Sequence, residues 1–187
     1  MPEPDEGRPA PPEGRLLLTG PSNAGKTRRT AALLDAWVAS NGADGVVVLD
    51  FAPELWRDGT VLGGRLDRFT EIPDGVWYAA LDAHAPRAEG DDEADALELA
   101  RDNAERSATL VADAPPPRAV FVNDATIPFQ HPDADAALLT DYCENAVVVC
   151  NAFESDEFGV EDAVSRAERR ALDHLRRWAD ECRSLAP

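Results

Sequence analysis

This chain has almost no lysine. Of its 187 residues only Lys26 is one, and the remaining basic side chains are seventeen arginines. Against 18 basic residues stand 36 acidic ones, giving a formal net charge of −18 and a pI near 4.4. Positive charge is too scarce for a general nucleic-acid binder, whose phosphates would be repelled, or for docking on an anionic membrane surface. Cysteine is scarce as well. Cys143, Cys150 and Cys182 are spaced too irregularly for a zinc site or a redox C-x-x-C pair. Cys150 lies in an apolar run and Cys182 at helical spacing, so both read as small core residues. No apolar run reaches membrane length, and no signal peptide or lipidation motif occurs. The expectation is a soluble, cytoplasmic protein with neither a membrane nor a nucleic-acid partner.

The acid excess has two general explanations. A salt-loving host would tolerate a dense carboxylate surface, because molar salt shortens the screening length to about 3 Å. GC-rich codon usage would turn lysine into arginine but accounts less well for the surplus of Asp and Glu. The charge balance favours the first. Either way most carboxylates are solvated surface and few are chemical.

What is present is concentrated around that single lysine. Gly20-Pro21-Ser22-Asn23-Ala24-Gly25-Lys26-Thr27 is a complete G-x-x-x-x-G-K-[ST] pattern. Gly20 and Gly25 permit backbone angles that let successive N–H groups turn inward around an anion. A helix starting near Gly25 points its positive end at the same place. An ammonium on a flexible stem can touch two phosphates in such a slot, where a planar guanidinium is too large. Arg15 to Thr19 reads as a buried strand entering the loop. Leu33, Leu34, Trp37 and Val38 share one helical face behind it, and Asn41-Gly42 ends the helix. Residues 16 to 42 thus resemble the P-loop NTPase superfamily. That resemblance implies ATP or GTP bound with Mg2+, through Gly20, Ser22, Asn23, Ala24, Gly25, Lys26 and Thr27. Lys26 would lie on the outer phosphates, and the Thr27 hydroxyl on the metal.

The rest of the chain alternates short apolar strands with amphipathic helices. Met1 to Gly14 holds five prolines and no apolar periodicity, which predicts a disordered acidic, proline-rich arm; residues 15–187 form the nucleotide-binding domain. Gly45 to Asp50 is a second strand, Phe51 to Gly75 is loop-rich, and Val76 to Leu81 is a third strand. Ala94, Leu97, Arg101, Ala104, Ala108 and Val111 follow helical spacing. Ala119 to Val122 is a strand closing on Asn123-Asp124. A helix is expected from about Asp133 to Glu144, and a strand from Ala146 to Cys150. A final stripe comprises Val164, Ala167, Ala171, Leu175, Trp178, Cys182 and Leu185, with Ser165 to Glu168 as a capping box. The expected fold is α/β: a mainly parallel sheet of about five strands with helices on both faces, a three-layer sandwich. Its strand C-termini would gather Gly20, Asp50, Asp124 and Asn151 along one edge.

A P-loop enzyme needs a carboxylate beside the metal, at the end of a strand neighbouring the P-loop strand. Asp124 fits that place best, because the strand paired with the P-loop strand usually comes later in the chain. Asp50 is the competitor. The resemblance to small-molecule kinases gives Asp50 a second possible role, contacting or deprotonating an acceptor; the plain alternative is a solvated turn residue. The same resemblance offers Arg166, Arg169 and Arg170 as lid arginines, with Arg87 as a loop-borne candidate, although arginines on a helix in so acidic a protein are more often partners for Asp and Glu. His131 is the only histidine near the presumed site. A guanine-reading Asn-Lys-x-Asp motif is missing: the matching place reads Asn151-Ala152-Phe153-Glu154. Size, motif order and the Val122-Asn123-Asp124 strand end are faintly similar to cobinamide kinase and the ATP:corrinoid adenosyltransferase, but the Asn-Asp pair departs from their Asp-rich strand end, so no substrate carries over. Two classes of function follow. One is a Mg-dependent phosphotransferase or activating enzyme acting on a small-molecule acceptor. The other is a nucleotide-binding module that switches a protein partner.

The charge balance makes its own prediction. At low ionic strength, like-charge repulsion loosens the fold, and sodium chloride should raise the melting temperature well beyond 0.15 M through screening. A melting series from low to molar salt at fixed pH checks this. A flat or falling series would mean that the acidic surface is compositional drift.

Overall fold

Val46–Asp50, Ala119–Asn123 and the start of Val147–Phe153 are apolar runs without alternation, the composition of strands covered on both faces. In the computed structural model, which describes residues 9–57, 60–62, 64–156 and 159–186, they form the middle of a six-stranded sheet. The elements in chain order are β1 (Arg15–Gly20), α1 (Lys26–Asn41), β2 (Val46–Asp50), β3 (Leu55–Arg57), β4 (Thr60–Leu62), β5 (Trp77–Ala80), α2 (Pro86–Glu89), α3 (Glu93–Asp113), β6 (Ala119–Asn123), α4 (Ala137–Tyr142), β7 (Val147–Phe153), α5 (Ala163–Trp178) and β8 (Glu181–Ser184). Two short 3-10 turns, Leu66–Arg68 and Ile127–Phe129, add to these. The sheet order is β5-β2-β6-β7-β1-β8, and every pairing in it is parallel. β3 and β4 make a separate antiparallel hairpin.

Alternate residues of β1, β2, β6 and β7 feed opposite cores. Leu17, Val47, Leu49, Val120, Val122, Val148 and Cys150 pack with Val111 of α3, Leu139 of α4 and Leu172 and Leu175 of α5. Leu16, Leu18, Val46, Val48, Phe121 and Val149 pack on the other side with Leu33, Leu34 and Trp37 of α1. The molecule is therefore an α/β sandwich of three layers. Burial pushes the Cys150 thiol up to about 12, so it stays neutral and serves as a small core side chain. Among the described residues no helix is long and apolar enough to cross a membrane.

The expected α/β sheet is present, and details within it differ. The sheet has six strands, because α5 stops at Trp178 and the chain turns to add β8 beside β1. Asp180 drives that turn: its carboxylate accepts from the Arg15 backbone N–H at 2.9 Å and from the guanidinium at 2.7 and 3.0 Å, while Arg15 also sits 5.2 Å from the Trp178 ring. Cys182 is consequently an exposed strand residue and has no place in the core. The cap of α5 is Asp162, whose side chain accepts from the Ser165 N–H, one turn ahead of the expected capping box. In α3 the buried face is Ala96, Ala100, Asn103, Ser107 and Val111, rotated from the stripe expected. Asn103 can be buried because it bonds the His84 N–H and C=O, both at 2.9 Å. The helix expected over 133–144 shrinks to α4, and the loop-rich segment after β2 contains the β3–β4 hairpin.

Ahead of β1, the Gly14 carbonyl already accepts from Val148 N–H at 2.8 Å. Residues 1–8 of the expected proline-rich arm lie outside the described residues, and Pro12 is buried.

β8 holds the loop that follows β1 from behind. Leu185 N–H donates to the Thr19 carbonyl at 2.7 Å, and a Cβ on Gly20, where φ is +154°, would lie 2.4 Å from the Leu185 carbonyl oxygen. Gly25, at φ +81°, has open space where a Cβ would go. Gly25→Ala should therefore cost only the left-handed backbone term, about 1–2 kcal/mol. Gly20→Ala must also displace the C-terminal strand and should cost about 3 kcal/mol or more. Urea midpoints of the two variants check this; equal costs would mean that the approach of Leu185 constrains nothing.

Candidate functional site

The segment between β1 and α1 is short and strongly bent. Asn23 and Gly25 take left-handed φ angles of 61° and 81°, and Ala24 N–H closes onto the Pro21 carbonyl at 3.4 Å. Left-handed residues inside a tight turn are the conformation in which neighbouring N–H groups converge on one point. α1 then starts with no side-chain cap on its first amides and no acidic residue in its first turn. A helix of 16 residues thus presents its N-terminal N–H groups and its positive end to whatever lies in front of the loop. Lys26 is 8% exposed, and its Nζ donates to the carbonyls of Gly20 at 2.9 Å and Pro21 at 2.6 Å. The ammonium is thereby folded over the loop it belongs to.

Beneath the loop, a buried polar network ties α1 to three strand ends. Asn123, the last residue of β6, is its hub. The Asn123 Oδ1 accepts from Thr27 Oγ1 at 3.1 Å and from Asn151 Nδ2 at 2.9 Å. Its Nδ2 donates to Asp50 Oδ1 at 2.8 Å and to the Gly64 carbonyl at 2.9 Å. Asn151 on β7 donates to Thr30 Oγ1 at 2.9 Å, and its Oδ1 accepts the Asp124 N–H at 3.0 Å. Thr30 completes the tie by donating to the Lys26 carbonyl at 3.0 Å.

The two candidate carboxylates are placed very differently. Asp50 is fully buried and does not line the cleft in front of the loop. It accepts from Asn123, from Leu66 N–H at 2.7 Å, from Ala52 N–H at 3.4 Å and from Tyr78 OH at 3.2 Å. Burial raises its pKa, and those hydrogen bonds hold the rise back. Asp124 lines the cleft and takes a left-handed φ of 54°, held by the bond from its N–H to Asn151. Its pKa is pushed up to about 6, chiefly by burial, with Asp50 and Glu168 adding and the Lys26 charge opposing. β6 does not adjoin β1, as the sequence argument assumed; β7 lies between them, and the side chain that meets Thr27 is Asn123, one residue before Asp124. Sequence reasoning passed over Asn123 because an amide at a strand end carries no charge to mark it.

The cleft has a volume of about 800 Å³ and runs from Ser22–Arg28 across to a second wall. Pro53, Leu55, Gly64 and Phe69 form one flank, with Arg28 5.7 Å from the Phe69 ring. Pro86, Arg87, Ile127, Gln130, Phe153 and Glu168 contribute to the other. Of the arginines singled out from sequence, Arg87 reaches the cleft. It is paired with Glu168 at 2.5 Å, donates to Ser165 Oγ at 3.2 Å and lies 5.8 Å from the Phe153 ring. Arg166 bonds the Glu161 carbonyl, Arg169 pairs with Asp156 at 2.5 Å and Arg170 reaches the Pro132 carbonyl at 3.5 Å; none of the three lines the cleft. His131 is buried outside it, accepting from Asp133 N–H at 3.2 Å. Gln130 and Glu168 were not marked by any local pattern, Glu168 having the look of a capping residue.

Chemically, the cleft offers a row of backbone donors, the Lys26 ammonium, the Ser22 and Thr27 hydroxyls and the Asp124 carboxylate of raised pKa. Among the described residues, no group of three or more His, Cys, Asp or Glu side chains could hold a metal ion. A cation here would have to take oxygen from a bound ligand or from water, as magnesium does. No protein-family model matches the chain, and no curated protein matches it significantly.

The raised pKa of Asp124 has a consequence for stability. An unfolded Asp ionises near 3.9 and this one near 6, so the folded form loses stability as pH rises from about 4 to about 6, by up to about 3 kcal/mol. Asn tolerates left-handed φ and carries no charge. Asp124→Asn should therefore be the more stable protein at pH 7.5, with its advantage shrinking as pH falls through 6 toward 4. Denaturant midpoints at the two pH extremes measure it, and a variant less stable than the wild type at pH 7.5 would contradict the assigned environment.

Proposed function

We propose that this chain is a P-loop NTPase-type enzyme that binds ATP or GTP with Mg2+ and uses it to phosphorylate, or otherwise activate, a small-molecule acceptor. The observation that carries the reading is the loop itself. The single lysine of the chain lies folded over a bent glycine loop, in front of an uncapped 16-residue helix. Gly20, Ser22, Asn23, Ala24 and Gly25 would supply the backbone cradle for the phosphates, with Lys26 exchanging its two carbonyl partners for the outer phosphate oxygens. Thr27 and Asp124 present the hard oxygen donors that suit Mg2+, and the ion would neutralise charge on the transferring phosphoryl group.

In phosphoryl transfer, the acceptor oxygen bonds to the terminal phosphorus as the bond to the bridging oxygen breaks, and the nucleoside diphosphate leaves with that electron pair. Asp124 faces the cleft with its pKa raised to about 6, so it is ionised at neutral pH, the form in which it would serve the ion, and the acceptor's proton would pass to solvent. Asp50 acts at one remove, as a positioning residue that fixes the Asn123 amide and through it Thr27.

The size of the cleft favours the enzyme over the switch. Its 800 Å³ extends well past the loop, space for a second substrate. Among the described residues the exposed large apolar side chains are Phe69 and Leu138, no basis for a broad protein-binding patch. Such an enzyme works where nucleotide and magnesium are supplied, in the cytoplasm, and its −18 charge keeps it off nucleic acid.

Lys26→Ala should weaken binding of Mg-ATP or Mg-GTP about 100-fold or more while shifting the unfolding free energy by only about 1 kcal/mol. Titration calorimetry beside urea denaturation separates the two effects. Equal nucleotide affinity in variant and wild type would end the reading.

A further inference from the structure

The wall of the cleft opposite the loop is a built polar site, and its partners leave one atom unused. Glu168, from α5, is 4% exposed, and Gln130, just after the Ile127–Phe129 turn, is 1% exposed. Glu168 Oε1 accepts from Thr126 Oγ1 at 3.1 Å and from Gln130 Nε2 at 3.0 Å, while Oε2 accepts from Arg87 at 2.5 Å. Those bonds fix the glutamine's orientation, because turning the amide over would set its oxygen against a carboxylate. The Gln130 Oε1 is left buried and without a hydrogen-bond partner. A buried carbonyl of this kind carries the desolvation penalty of an unmade hydrogen bond, which a ligand donating to it would relieve.

The chemistry of the wall narrows that ligand. Gln130 Oε1 can only accept, so the ligand must bring a donor. Arg87 already answers Glu168, which makes this end of the cleft close to neutral. A ligand carboxylate would bring no donor for Gln130 and would add negative charge to a cleft that Glu168 and Asp124 line, while an ammonium would add positive charge to a cleft that Arg87 and Lys26 line. A neutral hydroxyl fits. The same cleft is lined by the apolar side chains of Ile127, Phe153 and Phe69.

Building on the nucleotide-dependent reading above, we propose that this wall is the second-substrate subsite and that it takes a neutral alcohol with an apolar body, its hydroxyl donating to Gln130 Oε1. Gln130 is then a specificity-determining residue, and Glu168, held by Arg87 and Thr126, positions its amide.

The test uses the full chain, 15N-labelled, with 2-phenylethanol, 2-phenylethylamine and 3-phenylpropanoate as probes. 2-Phenylethanol should shift the Gln130 side-chain amide resonance saturably in the wild type. The amine and the carboxylate should each need about tenfold higher concentration or more, and Gln130→Met should weaken the alcohol about tenfold. The wild-type titration stands by itself if the variant fails to fold. An absent shift with the alcohol, or equal binding of the amine or the carboxylate, overturns the proposal. Nucleotide binding is measured separately by calorimetry. Intact nucleotide binding without an alcohol response sinks the subsite alone, whereas an alcohol response without nucleotide binding sinks the phosphate-loop reading and leaves the subsite standing.

Discussion

The Asn123 amide is the point on which the rest of this structure turns. It is fully buried at the end of a central strand and makes four hydrogen bonds to four separate segments: Thr27 of α1, Asn151 of β7, Asp50 of β2 and the backbone at Gly64. A buried amide tolerates no half-measures, since each unsatisfied donor or acceptor costs about 1–3 kcal/mol. Its geometry therefore fixes the relative height of three strands and the helix above them. Asp50 accepts four hydrogen bonds and so can stay buried, but for the same reason it has little left to offer a ligand. The site is built as a rigid shelf with its donors already in place, the form that preorganised electrostatics requires.

Above that shelf, charge is rationed. A chain with an 18-unit excess of carboxylates places Lys26 and Arg87 on opposite sides of one cleft. Arg87 is matched to Glu168, while Lys26 lies against backbone carbonyls, with Asp124 near enough to feel its charge. Asp124 is influenced from both sides: the Lys26 charge favours its ionised form, and Glu168 and Asp50 oppose it. Burial is the larger effect, and together they raise its pKa to about 6.

Much of the architecture could be read from the chain before folding was considered. The central strands announce themselves because parallel strands covered on both faces must be apolar throughout, as in Val46-Val47-Val48-Leu49 and Ala119-Val120-Phe121-Val122. The glycine loop announces itself through residue types that tolerate positive φ. What stayed hidden was structure held by specific polar contacts. β8 reads Glu-Cys-Arg-Ser, with no apolar alternation, and exists because Asp180 captures Arg15. The buried face of α3 includes Asn103 and Ser107, and only the backbone at His84 explains why an asparagine points inward. Periodicity cannot find a buried residue whose partner lies elsewhere in the chain.

The sequence by itself determined the alternation of strand and helix, the position of the glycine loop and the place of Lys26 within it. These are local matters, set by backbone freedom and by burial on one face or two. Tertiary structure decided the strand order, which slips β7 between β6 and β1, and with it which of two aspartates faces the cleft. Register sets Asp50 beside Asn123, where its carboxylate is consumed, while the left-handed turn after β6 leaves Asp124 at the cleft. Tertiary structure alone likewise joined Gln130 to Glu168, 38 residues away, and Arg87 to the same carboxylate across 81. Both outcomes depend on which strands become neighbours. That choice is made by the packing of whole layers, so no short stretch of sequence contains it.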